Sequence, residues 1–233
     1  MSQIFDVHQP GLRRGAERLP FAPHKRYFYV EHPTEGWKVF LRACSFLHEE
    51  GNPDPKRFLV VKRYQAQPNG AVWEPPKGQM EGKDGLAHPT WSILDILAEN
   101  VAREVEEEAK IKKIDNLQYT GLVLQAQEKD YPPNTYFQYH CFRGTVTPGE
   151  IDNALAEFEW LNEHPKAFAR LRKDVREKDA LAWFDAKRTK MMGKWRRVYL
   201  CCICGSRCHS ASTFGAVTAV LMCFSRFVFD SAR

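Results

Sequence analysis

The order of strand-like and helical segments along the chain predicts an α/β fold, in which helices pack against a mixed β-sheet. Three observations support this prediction: strand-like segments before residue 65, a long amphipathic helical segment near the middle, and more strand-like sequence followed by helical sequence. Elements of this kind bury their apolar faces against one another in layers. With 233 residues, the chain is long enough for one catalytic domain with extensions.

The N-terminal part of the chain is predicted to begin with an irregular arm over residues 1–24, because prolines and a glycine interrupt it. Residues 27–31, 38–47 and 57–62 follow and are rich in Val, Phe, Tyr and Leu. These residue types are favoured in strands, and Asn52, Pro53 and Pro55 are typical of a loop between the last two segments.

The middle of the chain predicts a helix of roughly five turns that ends near Lys110. Its apolar residues recur at helical spacing, at Leu94, Ala98, Val101 and Val105. Thr90 or Ser92 can serve as the N-cap, since a hydroxyl at this position accepts a hydrogen bond from a backbone N–H.

The rest of the domain is predicted to contain two more strands, at residues 117–126 and 135–146, and helical sequence over residues 165–190. The composition changes after Leu200, where five cysteines and an apolar run follow. We therefore expect one domain over residues 25–197, including basic C-terminal helices, and a tail of uncertain order over residues 198–233.

The formal net charge of +5 is unevenly distributed. Residues 166–197 carry twelve basic and four acidic side chains, a pattern that suits polyphosphate, RNA or an anionic membrane, or a solvated helix face. The first twenty residues contain no apolar run of signal-peptide length, so we expect a cytoplasmic protein, with the nucleus as an alternative.

The most informative segment for function is a run of acidic residues near the end of the predicted helix. Glu104, Glu107 and Glu108 stand at positions i, i+3 and i+4, which places the three carboxylates on one helix face. Hard divalent cations such as Mg²⁺ prefer oxygen ligands of this type. The alternative is an acidic, solvated helix face.

The segment from Gly78 to Ile111 resembles the Nudix box, in which a glycine and a glutamate precede the pattern Arg-Glu-aliphatic-any-Glu-Glu-any-Gly-aliphatic. Three departures accompany the match: Asp84 replaces the first glutamate, Lys110 replaces the second glycine, and eleven extra residues separate Asp84 from Arg103. The extra residues could lengthen the helix at its N-terminal end, or displace the Gly78 loop from the metal.

The resemblance implies a Nudix-like α/β/α sandwich and a hydrolase that splits a phosphoanhydride bond with Mg²⁺ or Mn²⁺. It assigns Glu104 and Glu108 as the principal metal ligands, Glu107 as a further ligand or base, and Gly78 as a backbone ligand. Arg103 would orient the carboxylates. A later acid is also expected in the family, often shortly before a tryptophan, which predicts Glu159 as another metal ligand or the catalytic base, with Glu157 as second choice.

The sequence WEPPKG at residues 73–78 is similar to the Trp-x-Pro-Pro-Lys-Gly segment of Nudix hydrolases that cut dinucleoside polyphosphates, so a compound of that type or a similar polyphosphorylated one is the expected substrate. A related Pro-Lys-Gly occurs in family members that act on diphosphoinositol polyphosphates. The predicted substrate-binding residues are Lys77, Lys62, Arg63 and Tyr136. Lys77 would place a compact positive charge beside a rigid turn, and Tyr136 belongs to a group of aromatic residues that could stack on a base. Capped RNA and oxidised nucleotides are alternative substrates.

Two other classes of function are kept open. The first is a Nudix fold that binds a nucleotide or a protein partner without hydrolysis, which the three departures from the motif favour. The second is a function of the C-terminal tail. Its weaker alternatives are a zinc site and a membrane anchor formed by the apolar residues 213–229. The potential zinc ligands are Cys201, Cys202, Cys204, Cys208 and His209. The sequence does not predict the oligomeric state.

Overall fold

The computed structural model describes residues 4–20, 22–52, 54–67, 70–127, 131–191, 195, 210–214 and 217–223. The strands of its main sheet are β1 (Arg13–Leu19), β2 (Ala22–Glu31), β3 (Lys38–Glu49), β6 (Lys77–Gln79), β7 (Asp115–Ala126), β8 (Thr135–Val146), β10 (Ser210–Phe214) and β11 (Val217–Cys223). Their order in the sheet is β1-β2-β3-β8-β7-β11-β10, and β6 pairs antiparallel with β3 at residues 42–44. Because β3 and β8 are parallel and the other pairs are antiparallel, the sheet is mixed, as predicted.

A second, three-stranded sheet and four helices complete the fold. The small sheet has the order β5-β4-β9, with β4 (Leu59–Arg63), β5 (Trp73–Glu74) and β9 (Lys178–Trp183). The helices are α1 (Gly82–Ala87), α2 (Ile93–Ala109), α3 (Pro148–Glu163) and α4 (Pro165–Arg170). The predicted α/β class is confirmed, and helix α2 packs on the sheet at β3 and β6.

Strand β3 lies at the centre of the main sheet, and its alternating side chains supply two apolar clusters. Val39 and Leu41 point into the cluster that contains α2, while Phe40 and Phe46 belong to the cluster on the other face. Both faces are buried, which explains why this strand reads as an almost continuous apolar run. The long central strand thereby fixes the positions of the neighbouring β6 and α2.

Helix α2 is the predicted long helix, and its ends are defined by specific caps. Ser92 is the N-cap, since its hydroxyl accepts a hydrogen bond from the Asp95 N–H at 3.1 Å. At the other end Lys110 adopts a left-handed conformation with φ of 60°, the conformation for which glycine is usually used. The buried stripe that includes Val101 and Val105 holds the helix against the sheet.

The residues between Asp84 and Arg103 form the end of α1, a loop and the N-terminal part of α2. The loop is fastened to β1 by Arg14, whose guanidinium donates hydrogen bonds to three backbone carbonyls, those of His88, Pro89 and Trp91. The additional residues therefore fold beside α2 against the edge of the sheet.

The prediction of an irregular arm over residues 1–24 is wrong for its second half. Residues Arg13–Leu19 form β1, which pairs antiparallel with β2 and buries Ala16 and Leu19. Pro10, Gly11 and Pro20 flank this strand instead of interrupting it. A strand between turn residues can be mistaken for a loop when it has few large apolar side chains, as here.

The prediction of helical sequence over residues 165–190 is also wrong in part. Only the short α4 is helical there, while residues Lys178–Trp183 form β9 and pair antiparallel with β4. Helix α3, which precedes this segment, was not predicted; it begins at Pro148, with Thr147 as its N-cap. Pairing between β9 and β4 joins residues far apart in sequence, so helical spacing within one segment could not reveal it.

The cysteines of the candidate zinc site and His209 lie outside the described residues. Within the apolar segment 213–229, the described residues belong to β10 and β11, and β11 pairs antiparallel with β7. Among the described residues, no helix combines the length and the apolar character needed to cross a membrane.

Candidate active site

The loop at Lys77 and Gly78 lies directly on the acidic face of α2. The Lys77 backbone N–H donates a hydrogen bond of 2.9 Å to Oε2 of Glu108. Gly78 lies so close to Glu104 that a Cβ at this position would overlap the Glu104 carboxyl group. The extra residues of the box have therefore not displaced this loop, and the two halves of the motif meet.

Arg103 connects the acidic residues around this loop. Its Nη2 lies 2.7 Å from Oε1 of Glu104, and its Nη1 lies 2.9 Å from Oε2 of Glu107. Nη2 also donates to Oδ1 of Asn100 at 2.9 Å and lies 3.4 Å from Oδ2 of Asp84, which stands where the family has glutamate. A guanidinium with this many oxygen partners restricts the orientation of the carboxylates.

The Glu104 side chain is mostly buried, with 13% of its surface exposed. Burial, together with the negative charges of Glu108 and Glu107, raises the pKa of Glu104 to about 8, although Arg103 opposes this shift. The negative charge on Glu104 is therefore costly in the metal-free protein. A divalent cation close to this carboxylate would remove that cost.

Beneath Glu108 lies a group of paired charges that the sequence did not suggest. The Lys178 ammonium is 2.6 Å from Oε1 of Glu74 and 2.9 Å from Oε1 of Glu108, and all three side chains are almost fully buried. Burial alone would raise the pKa of Glu74, but Lys77 and Lys178 lower it to about 2. Glu108 is thus held by Lys178 on one oxygen and by the Lys77 N–H on the other.

The acidic face of α2 can be compared with the ligands that a divalent metal needs. No group of three or more His, Cys, Asp or Glu side chains comes close enough to enclose a metal within the described part of the chain. Mg²⁺ commonly binds through one or two carboxylates and completes its shell with waters and substrate phosphates. Glu104 and Glu108 provide carboxylate oxygens of this kind beside the Lys77–Gly78 loop, and each oxygen of Glu108 also has a lysine partner, the Lys77 N–H or the Lys178 ammonium.

The four residues predicted to bind the substrate lie in different surroundings from one another. The Lys77 ammonium lies 2.9 Å from Oε1 of Glu74, and the Lys62 ammonium lies 3.0 Å from Oδ1 of Asp179, so both are paired with carboxylates. The Tyr136 ring packs against Phe5 with centroids 4.9 Å apart and is partly buried against the core. Arg63 is exposed and lines an open pocket together with Glu177 and Lys178.

Glu159 lies on the exposed face of helix α3, and the neighbouring Trp160 is 50% exposed. No hydrogen bond or ion pair of the described residues links Glu159 to the three glutamates of α2, so its predicted role has no contact to support it. Glu157, the second choice, is also exposed on α3.

Residues 172–178 bring side chains to the site that sequence reasoning missed. Arg172 lies 3.4 Å from Oε1 of Glu107, and Glu177 lies close enough to Glu108 for their negative charges to interact. Partial burial and the charge of Glu108 raise the pKa of Glu177. This segment was interpreted as a basic helix, whereas its residues from Lys178 to Trp183 form β9.

The comparisons with known proteins agree with the motif. The family model of the NUDIX domain matches residues 43–184, more than half of the chain. The chain belongs to the Nudix hydrolase family. No curated protein matches it.

Several solved structures are similar to the chain at low identity. A NUDIX hydrolase from Nitrosomonas europaea is 16% identical with a TM-score of 0.38, over 71% of this chain and 86% of that one. A NUDIX hydrolase from Alicyclobacillus acidocaldarius is 14% identical with a TM-score of 0.41, over 72% and 92%. A C. elegans Ap4A hydrolase binary complex is 18% identical with a TM-score of 0.37, over 70% and 93%.

Proposed function

We propose that this chain is a metal-dependent hydrolase that cleaves a phosphoanhydride bond in a nucleoside diphosphate linked to a further group. The substrate that the WEPPKG segment favours is a dinucleoside polyphosphate or a similar polyphosphorylated compound. One observation carries the proposal: Glu104 and Glu108 lie against the Lys77–Gly78 loop in spite of the inserted residues.

The proposed roles of the site residues follow from their contacts. Glu104 and Glu108, with the Gly78 backbone, would hold Mg²⁺ or Mn²⁺, and Glu107 would add a further oxygen. When bound, the metal supplies Lewis acidity at phosphate oxygens and lowers the pKa of a water molecule. Arg103 keeps the carboxylates in place through its bonds to Glu104 and Glu107.

The proton of the attacking water needs an acceptor close to the metal face. Glu107 and Glu177 are the two carboxylates whose positions favour this role, since Glu107 belongs to the acidic face and Glu177 interacts with Glu108. Glu159 stays a prediction that requires a separate test by Glu159→Gln.

The test is release of phosphate or nucleotide by the purified full-length chain with Mg²⁺, Mn²⁺ or EDTA. The substrates are diadenosine tetraphosphate, ADP-ribose, an oxidised nucleoside triphosphate, capped RNA and a diphosphoinositol polyphosphate. We expect cleavage of diadenosine tetraphosphate that EDTA abolishes. Metal-dependent cleavage of another substrate alone would change the proposed substrate class.

A matched pair of variants tests the assigned site. Glu108→Gln removes a proposed metal ligand, so turnover should fall by at least about 100-fold. Glu106→Gln changes the same residue type on the exposed face of the same helix and should retain normal turnover. If neither the wild-type protein nor a variant cleaves any substrate while nucleotide binding persists, the non-catalytic alternative replaces this proposal.

A further inference from the structure

A pocket of about 540 Å³ lies between the end of β4 and the segment that precedes β9. Arg63 and Tyr64 line one side, and Lys173, Arg176 and Glu177 line the other. The two sides are joined by the backbone, since the Tyr64 N–H donates a hydrogen bond of 2.8 Å to the Glu177 carbonyl. The volume is in the range of pockets that bind small molecules.

The pocket continues from the proposed metal face. Lys178 contributes to the pocket lining, and its ammonium is 2.9 Å from Oε1 of Glu108. Glu177, also in the lining, interacts with Glu108 as well. The pocket and the proposed metal face therefore share Glu177 and Lys178 as neighbours.

The charges around the pocket favour an anion. Among the described residues, no carboxylate forms an ion pair with Arg63, Lys173 or Arg176. Neighbouring cations differ in this respect, because Lys62 is paired with Asp179 and Lys178 is paired with Glu74 and Glu108. Within the described part of the chain, three basic side chains without an ion-pair partner thus stand against one acidic side chain, Glu177, around an opening that solvent can reach; Arg176 also donates a hydrogen bond of 3.1 Å to the Ala169 carbonyl.

We propose that this pocket binds the phosphates that lie beyond the scissile phosphoanhydride bond, so that the enzyme selects substrates with long phosphate chains. The inference rests on the proposed function, because the reacting phosphate has to lie at Glu108. Arginine binds phosphate through parallel N–H groups and lysine through a point charge, so Arg63, Lys173 and Arg176 suit consecutive phosphates.

Binding of inorganic tripolyphosphate to the full-length protein in EDTA tests the pocket without catalysis. We expect calorimetry to show binding by the wild-type protein that weakens at high salt. The triple variant Arg63→Gln, Lys173→Gln, Arg176→Gln should bind at least about tenfold more weakly. The matched control Lys56→Gln, Lys112→Gln, Lys113→Gln removes the same charge from exposed positions outside the lining and should retain the wild-type affinity.

An equal loss of affinity in both triple variants, or no binding by the wild-type protein, would overturn the proposal. A version of the first triple with Lys in place of Arg63 and Arg176, and Arg in place of Lys173, keeps the charge. We expect this charge-conserving variant to bind tripolyphosphate with the wild-type affinity. If it is folded and does not bind, the proposal is also overturned.

A chain-length series links the pocket to specificity and separates its failure from that of the proposed function. For dinucleoside polyphosphates, kcat/KM should rise with the number of phosphates in the wild-type protein and rise much less in the first triple variant. Cleavage without this dependence would refute the pocket and leave the hydrolase. Tripolyphosphate binding that the triple variant loses, without cleavage of any substrate, would establish phosphate binding at the pocket but overturn both the hydrolase and the selection of substrates by chain length.

Discussion

Replacement of Glu104 by Gln should change the pH dependence of stability as well as the activity. In the metal-free protein, the pKa of Glu104 is raised from 4.5 to about 8. Between these values the folded state retains a proton that the unfolded state has lost, so the free energy of unfolding falls as the pH rises. The full difference corresponds to about 5 kcal/mol, since one pKa unit is about 1.4 kcal/mol.

Glu104→Gln removes this titration while it keeps an oxygen that can accept the hydrogen bond from Arg103. In EDTA, urea unfolding should give the variant and the wild-type protein the same free energy of unfolding near about pH 5. Near about pH 8 the variant should be more stable, by up to about 5 kcal/mol. Mg²⁺ should stabilise the wild-type protein at the higher pH far more than it stabilises the variant.

The control for this experiment is Glu106→Gln, on the exposed face of the same helix, which should follow the wild-type curve. A constant difference in stability between Glu104→Gln and the wild-type protein across this pH range would refute the reasoning. The carboxylate would then be ionised in the folded protein without the cost that its burial implies.

Three further changes test the supports of the site. In Gly78→Ala, the added Cβ displaces the carboxylate that it would overlap, so turnover should fall by at least about 100-fold, while Gly149→Ala, which meets open space, should be neutral. Lys178→Met leaves two buried carboxylates with fewer partners and should lower the free energy of unfolding in urea by about 3–5 kcal/mol, against less than about 0.5 kcal/mol for the exposed Lys113→Met. Ser92→Ala removes the N-cap of α2 and should cost about 1 kcal/mol in the same assay.

Helix α2 and its acidic face could be predicted from the sequence because the information is local. The apolar spacing, the capping serine and the i, i+3 and i+4 glutamates all lie within twenty residues. Local chemistry also accounts for the long strands β3, β7 and β8, whose apolar runs are bounded by turn residues. The expected α/β class follows from these elements alone.

The effect of the inserted residues on the Gly78 loop could not be predicted from the sequence. Sequence spacing allowed either a displaced Gly78 loop or an intact one, and the choice depended on contacts far apart in the chain. Pairing of β6 with β3 and the bond from the Lys77 N–H to Glu108 hold the loop in place. Arg14 fastens the extra residues at the edge of the sheet, away from that loop.

The sequence by itself determined the family motif, the carboxylates on α2 and the order of β3, β4, α2, β7 and β8, because each depends on residues that are close together in the chain. The tertiary structure decided which other charges join them: Glu74 and Lys178 meet Glu108, and Glu177 comes to the same side. The reason is that β9 pairs with β4 in a register that joins Lys178 to Arg63. Such long-range pairing leaves no periodic signal within either segment, and it forms only when the chain folds.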